Sequence, residues 1–144
     1  MSRALNDLQL DFRAIVFEFL ARLVEAGINV IIIDTLRTEA EHEANLKAGN
    51  SWTSHSLHLD GLAIDVCHYA EWILRGHKKL DWDYNDPIWG QIGAIGEKVG
   101  LKWGVWLKRT KNVPVWLRRG EFVNIDLGHL EMPSSQKIPG DIDA

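Results

Sequence analysis

Apolar residues recur at helical spacing near the beginning of the chain. Between residues 6 and 26 they fall on one face, at Leu8, Phe12, Ile15, Val16, Phe19, Leu20, Leu23 and Val24. Asn6 is placed to cap this helix and Gly27 to end it. The pattern therefore predicts an amphipathic helix over residues 6–26 that packs on a core through one stripe.

Short apolar segments follow, separated by polar ones. The predicted strands are "NVIIID", "GLAIDVCH", "LKWGVW" and the region "EFVNIDLGHLEM" that Pro133 ends. Two further helices are predicted, "TEAEHEANLKAG" and one that begins at Pro87 and runs to about Val99. The remaining segments are predicted as loop ("NSWTSHS"), turn-rich connector ("KKLDWDYNDP") and loop or hairpin (107–120). This mixture lacks regular βαβ alternation, which predicts the α+β class.

Composition sets the scale and excludes several partners. The 144 residues are 46% hydrophobic and 25% charged, which suits a single domain over 1–144 with its own core and a loosely held tail at 133–144. The net charge of -4 disfavours general binding to nucleic acid or to anionic membranes.

One cysteine, Cys67, allows no intrachain disulfide. The first residues lack a signal-peptide pattern, and no apolar run could insert into a bilayer, so we expect a soluble protein made in a cytoplasm.

Two polar clusters lie beside predicted strands. In "SLHLDGLAID", His58 and Asp65 are seven residues apart, so on one continuous strand their side chains would lie on opposite faces. They can converge only if the chain bends between them, and Gly61 allows such a bend. "DLGHLEM" supplies a histidine between two carboxylates. Each cluster alone is weak evidence. Together they offer two imidazoles and a carboxylate with a fourth position open, an arrangement typical of catalytic zinc sites.

The same clusters resemble the motifs of a known family. "SLHLDGLAID" fits S-x-H-x-x-G-x-A-x-D and "DLGHLE" fits D-x-x-H-x-E. These motifs occur in the zinc peptidases that include the VanX and VanY enzymes and the phage L-alanyl-D-glutamate endopeptidases (family M15). "LRTEAEHEANLKAG" and "KLDWDYNDPIWGQIGAIGEKVGLKWG" are also similar to segments of that family, so the resemblance covers about residues 34–132. It implies a central antiparallel sheet flanked by helices, the hedgehog/D-Ala-D-Ala peptidase-like fold.

The resemblance also implies roles for individual residues. Zinc would be held by His58, Asp65 and His129, and Asp126 would be the general base. Arg37 would bind substrate or stabilise the developing oxyanion, and Ser56 would orient a ligand rather than react. Glu131 would hold a zinc histidine, or would serve as an alternative base.

Other histidines and Cys67 match no role in the family. We expect His42, His55, His68 and His77 to be surface or loop residues, although His55 and His68 lie close enough to the first motif to touch substrate. Cys67 shares a strand face with Asp65 by period two, and we expect it to pack in the core rather than act near zinc.

An aspartate at Asp126 resembles the L-alanyl-D-glutamate endopeptidases rather than the D-Ala-D-Ala hydrolases. We therefore expect a monomeric zinc endopeptidase that cuts the peptide stem of bacterial peptidoglycan, a phage endolysin made in the host cytoplasm and acting on the wall after release. The relatives read W-G-G-D-W where this chain has "WGVW" and a longer loop, which leaves the specificity open. The alternatives are a D-Ala-D-Ala carboxypeptidase or dipeptidase, or a non-catalytic zinc module that recognises peptide.

Overall fold

The computed structural model describes residues 2–49, 57–73, 77–109 and 112–133, with helices and strands of the predicted mixed class. The α-helices are α1 (Leu10–Glu25), α2 (Glu39–Lys47) and α3 (Ile88–Lys98). The strands are β1 (Val30–Asp34), β2 (Ala63–Ile73), β3 (His77–Asp81), β4 (Lys102–Trp103), β5 (Trp106–Lys108), β6 (Arg118–Arg119), β7 (Phe122–Asn124) and β8 (His129–Glu131). The predicted loop with His55 and Ser56, and the predicted tail from residue 134, lie outside the described residues.

The strands form two antiparallel sheets. The larger sheet has the order β1-β2-β8-β4, with β3 paired to the far half of β2. The smaller sheet has the order β5-β7-β6, and it includes the two ends of the segment predicted as loop or hairpin, residues 107–108 and 118–119. The α+β class is therefore confirmed. Within the described ranges, no helix has the length and apolar character needed to cross a bilayer.

Helix α1 packs on the core through the predicted stripe. Phe12, Val16, Phe19 and Leu23 are all buried, whereas Val24 is 76% exposed and lies off the stripe. The predicted start was wrong, because residues 5–7 form a separate 3₁₀ turn. The cap is Gln9 instead of Asn6, since the Gln9 side chain accepts a hydrogen bond from the Phe12 amide at 3.0 Å.

Helix α3 lies directly against β4 and β8 because two of its glycines leave no side chain between them. A Cβ on Gly93 would lie 2.1 Å from the Trp103 ring, and one on Gly96 would lie 2.3 Å from Leu130 Cδ2. Trp103 also donates through Nε1 to the Leu127 carbonyl at 2.7 Å. The helix therefore supports the strand and turn that carry the second polar cluster.

One predicted connector and two predicted strands differ from the structure. The connector "KKLDWDYNDP" begins inside β3, a polar strand held by backbone pairing with β2, which needs no apolar pattern. "LKWGVW" is divided between the two sheets at Gly104. The φ of Gly104 is 75°, which favours glycine, and a Cβ added there would lie 2.2 Å from the side-chain amide of Asn124. Likewise, "EFVNIDLGHLEM" is divided between β7 and β8 by a turn at residues 125–128.

Candidate metal centre

Strand β2 brings the two polar clusters together at Asp65. Asp65 pairs with Asp34 of β1 on one side and with His129 of β8 on the other. The register between β1 and β2 shifts between Ile32 and Asp34, next to this position. The two sequence motifs are thus neighbours in one sheet although His58 and His129 are far apart in the chain.

His58 reaches the same point from the turn before β2. It lies in a 3₁₀ turn, Leu57–Asp60, and the bend predicted at Gly61 is present with a φ of 68°. The His58 ring is buried, and its Nδ1 donates to the Thr35 carbonyl at 2.8 Å. This bond selects the tautomer whose Nε2 carries the lone pair, and Nε2 lies 3.2 Å from Asp65 Oδ2.

His129 faces the other oxygen of the same carboxylate. Its Nδ1 lies 3.0 Å from Asp65 Oδ1, and its Nε2 lies 2.7 Å from Glu131 Oε1. The His58 and His129 rings meet edge to face with centroids 5.3 Å apart. One ligand atom from each of His58, Asp65 and His129 lies within 4.8 Å of the others, a spacing that a single metal ion can bridge.

The electrostatics show how strongly the three groups interact. Burial raises the pKa of Asp65, but the two histidines outweigh it and hold that pKa far below its usual range. Burial lowers the pKa of His129, but hydrogen bonds to Asp65 and Glu131 bring it well above its ordinary value. Asp65 is therefore an anion and His129 retains a proton at neutral pH. A divalent cation bound among these residues would take the place of that proton.

Asp126 lies beside the cluster, on the turn that leads into β8. Its amide donates to Asn124 Oδ1 at 3.1 Å, and its carbonyl accepts from the His129 amide at 3.3 Å. The turn sits tightly on β2, because a Cβ on Gly128 would lie 2.3 Å from the Val66 carbonyl. Burial, and then the negative charge of Asp65, raises the pKa of Asp126 to about 6.

Arg37 approaches Asp65 from the side of β1. Its Nη2 lies 3.9 Å from Asp65 Oδ2, but its closest partner is Asp34. Asp34 is buried, and Asp34 Oδ2 accepts from Arg37 Nε at 3.2 Å and from Nη2 at 2.8 Å. Burial raises the pKa of Asp34, and the Arg37 guanidinium opposes that rise. The sequence pattern did not lead to a predicted role for Asp34. A carboxylate at the end of a buried strand, three residues before an arginine, is nevertheless a pattern that indicates an ion pair with that arginine.

The other predicted residues have mixed outcomes. Ser56 lies outside the described part of the chain, so its predicted contact stays a prediction. His42 was predicted at the surface and is instead buried in α2. Cys67 is buried in the core, as expected.

Fold and site together define a small α+β protein with a His-Asp-His cluster and a carboxylate of raised pKa beside it. Over 79 residues the chain is 33% identical to an L-alanyl-D-glutamate peptidase of Listeria phage A118. That match covers 54% of this chain and 26% of the phage protein, so the chain spans about a quarter of that relative's length.

Structural comparison supports the fold. The chain matches the crystal structure of the Serratia marcescens L-Ala D-Glu endopeptidase ChiX with a TM-score of 0.60 and 19% sequence identity, over 90% of this chain and 83% of that one. No protein-family model matches the sequence. The predicted resemblance to the L-alanyl-D-glutamate endopeptidases is confirmed, in sequence by the phage protein and in fold by ChiX.

Proposed function

We propose that the chain is a zinc-dependent peptidoglycan endopeptidase that cleaves the L-alanyl-D-glutamate bond of the peptide stem and acts as a phage endolysin. The observation that carries the proposal is the convergence of His58, Asp65 and His129, with Asp126 within electrostatic reach of all three. The similarity to a phage L-alanyl-D-glutamate peptidase supports the choice of bond.

The donor set fits zinc. Many catalytic zinc sites have two imidazole nitrogens and one carboxylate oxygen as their protein ligands. The fourth position in such sites is open to water or substrate. His58 Nε2 and His129 Nδ1 both point at the Asp65 carboxylate, because the opposite nitrogen of each ring is bonded to Thr35 or to Glu131. When bound there, zinc would supply Lewis acidity, which lowers the pKa of water and polarises a carbonyl group.

Asp126 is the candidate that moves the proton. A pKa near 6 leaves its carboxylate ionised at neutral pH but more basic than an ordinary aspartate, which suits a general base. It would take a proton from the attacking water and pass it to the amine that leaves from the cleaved peptide bond. Glu131 has a different place, since its carboxylate is buried and contacts His129 Nε2. It would orient that imidazole and increase its basicity as a ligand.

Arg37 is the candidate for binding negative charge on the substrate. Its guanidinium is held by Asp34 and lies at the edge of the cluster, 3.9 Å from Asp65. A fixed guanidinium binds carboxylates and developing oxyanions in a defined orientation, and stem peptides carry several carboxylates. We propose that residues 1–144 form one such peptidase domain, which works as a monomer on the bacterial wall after release from the host cytoplasm.

Product analysis tests the proposal. Zinc-loaded protein is incubated with purified peptidoglycan and with a synthetic stem peptide that contains the L-alanyl-D-glutamate bond, and the products are identified by mass spectrometry. We expect a new amino terminus on the D-glutamate residue and loss of cleavage when a chelator is present. Release of terminal D-alanine would instead identify a carboxypeptidase. Zinc and peptide binding without any product would identify a recognition module.

A further inference from the structure

The residue that orients the His58 ring lies just beyond the end of β1. Strand β1 ends at Asp34, and Asp34 is its last residue that pairs with β2. The next residue, Thr35, is fully buried, and its carbonyl accepts the hydrogen bond from His58 Nδ1 at 2.8 Å. The pairing of β1 with β2 therefore does not by itself fix the acceptor on which the orientation of the His58 ring depends.

Residues 35–37 hold His58 at two points. Besides the bond between Thr35 and the ring, the Arg37 amide donates to the His58 carbonyl at 3.0 Å. The ring and the main chain of His58 are thus both bound to the same short piece of chain. A shift of residues 35–37 would therefore move the Nε2 atom that the candidate metal site uses.

The N-terminal segment, residues 2–9, is bonded to this piece of chain. The Thr35 amide donates to the Ser2 carbonyl at 2.8 Å, and the Ser2 amide donates to the Leu36 carbonyl at 3.3 Å. Thr35 therefore has its amide bound to Ser2 and its carbonyl bound to His58. A single residue connects the main chain of Ser2 to the imidazole.

The other end of the N-terminal segment contacts the end of the 3₁₀ turn before β2. The Gln9 amide donates to the Gly61 carbonyl at 2.9 Å. A Cβ on Gly61 would lie 3.0 Å from the Gln9 nitrogen and 3.1 Å from the Asp7 carbonyl oxygen. Between the two ends, Leu8 is buried in the core. The N-terminal segment therefore joins the turn that carries one metal ligand to the residues that orient this ligand.

We propose that Ser2 is a positioning residue for the metal centre, whose main chain holds Thr35 so that the Thr35 carbonyl keeps His58 Nε2 directed at Asp65. This inference rests on the proposed zinc site. Hydrogen-bond partners of a zinc histidine fix its tautomer and ring orientation, and their loss typically weakens metal binding about 10- to 100-fold. A ligand that is held in its binding orientation before the metal arrives also loses less freedom on binding. Ser2 would thus raise the metal affinity without contacting the metal.

The test deletes residues 2–3, which joins Met1 to Ala4 and removes the main-chain partners of residues 35–36. Ser2→Ala/Arg3→Ala is the matched control, because it removes the same side chains and keeps the main chain. The zinc dissociation constant is measured by competition with a zinc-binding dye. We expect it to rise about 10-fold in the deletion variant and to stay unchanged in the control. The melting temperature of the zinc-free protein should change little, because Leu8 stays in the core.

Amide hydrogen exchange gives a second readout that depends on neither the dye nor activity. If Ser2 helps zinc to bind, zinc must in turn strengthen the bonds of Ser2 to residues 35–36, since coupling between two binding events is reciprocal. We therefore expect zinc to slow exchange of the Thr35 amide in the wild type and in the control. The same amide should be slowed much less in the deletion variant.

The outcomes separate the two proposals. If the deletion variant binds zinc as tightly as the wild type, the role of Ser2 is refuted and the zinc site stands. If the control loses as much affinity as the deletion variant, the side chains are responsible and the inference is overturned. It is overturned as well if the deletion lowers the melting temperature equally with and without zinc, because the segment then supports the whole fold. If the wild type does not bind zinc, the proposed function fails, and the role of Ser2 fails with it.

Discussion

One carboxylate oxygen of Asp34 accepts two hydrogen bonds from Arg37, from Nε at 3.2 Å and from Nη2 at 2.8 Å. The side chains of Asp34 and Arg37 are 2% and 10% exposed, so solvent screens this ion pair little. Removal of one partner from a buried ion pair leaves an uncompensated charge, which is costly. The pair also holds the Arg37 guanidinium beside Asp65, where it is the candidate group for binding negative charge on the substrate.

A double-mutant cycle should therefore show strong coupling between Asp34 and Arg37. We expect Asp34→Ala alone to lower the free energy of unfolding by about 3–5 kcal/mol. The double variant with Arg37→Ala should lose less than the sum of the two single losses, with a coupling of about 1–3 kcal/mol in chemical denaturation. Lys108 and Glu121 form an exposed pair at 3.0 Å and serve as the control, with coupling below about 1 kcal/mol. Equal coupling for the two pairs would contradict the structural role of Asp34.

Asp126→Ala should separate metal binding from turnover. The alanine variant keeps all three candidate ligands, so we expect wild-type zinc content by elemental analysis. Loss of the general base should lower kcat about 10²- to 10⁴-fold on the stem peptide. Asp60→Ala, at an exposed position of the turn before β2, is the matched control and should keep both zinc and activity. A fully active Asp126→Ala protein would show that another group moves the proton.

The sequence predicted the parts of the site whose residue types are set by chemistry. His58, Asp65 and His129 were identified by their match to the family motifs, whose imidazoles and carboxylate are groups that bind zinc. The structure brings these three residues together. α1 was predicted from its apolar periodicity and α3 from Pro87 at its beginning, and both signals are local properties of the chain. α3 matched closely, whereas α1 begins at Leu10, after a separate 3₁₀ turn, instead of at residue 6.

The remaining features depend on contacts between distant segments. Asp34 belongs to the site because β1 pairs with β2 in a register that no local pattern specifies. β3 is polar and is held by backbone bonds to β2, so it carries no apolar signal. His42 lies on a helix without an apolar stripe, so its burial follows from tertiary packing alone.

Glu131→Gln should weaken zinc binding without changing the ligands themselves. Its carboxylate lies 2.7 Å from His129 Nε2, and loss of the negative charge should make the imidazole a poorer ligand. We expect the zinc dissociation constant to rise about 10- to 100-fold, measured by competition with a zinc-binding dye. Glu121→Gln changes an exposed glutamate in the turn between β6 and β7 and should leave the constant unchanged. A lower kcat with an unchanged dissociation constant would instead favour Glu131 as the general base.

The stability of the metal-free protein should depend on pH through Asp126. The folded-state pKa of about 6 lies above the ordinary value of 3.8, so the folded state disfavours the charged form. The resulting destabilisation is absent below about pH 4 and complete above about pH 6. Asp126→Asn cannot ionise, so after chelator treatment it should melt at a higher temperature than the wild type at pH 7 but not at pH 4. If Asp126→Asn shifts the melting temperature equally at both pH values, the raised pKa of Asp126 is wrong, and with it the reason for expecting Asp126 to act as a base near neutral pH.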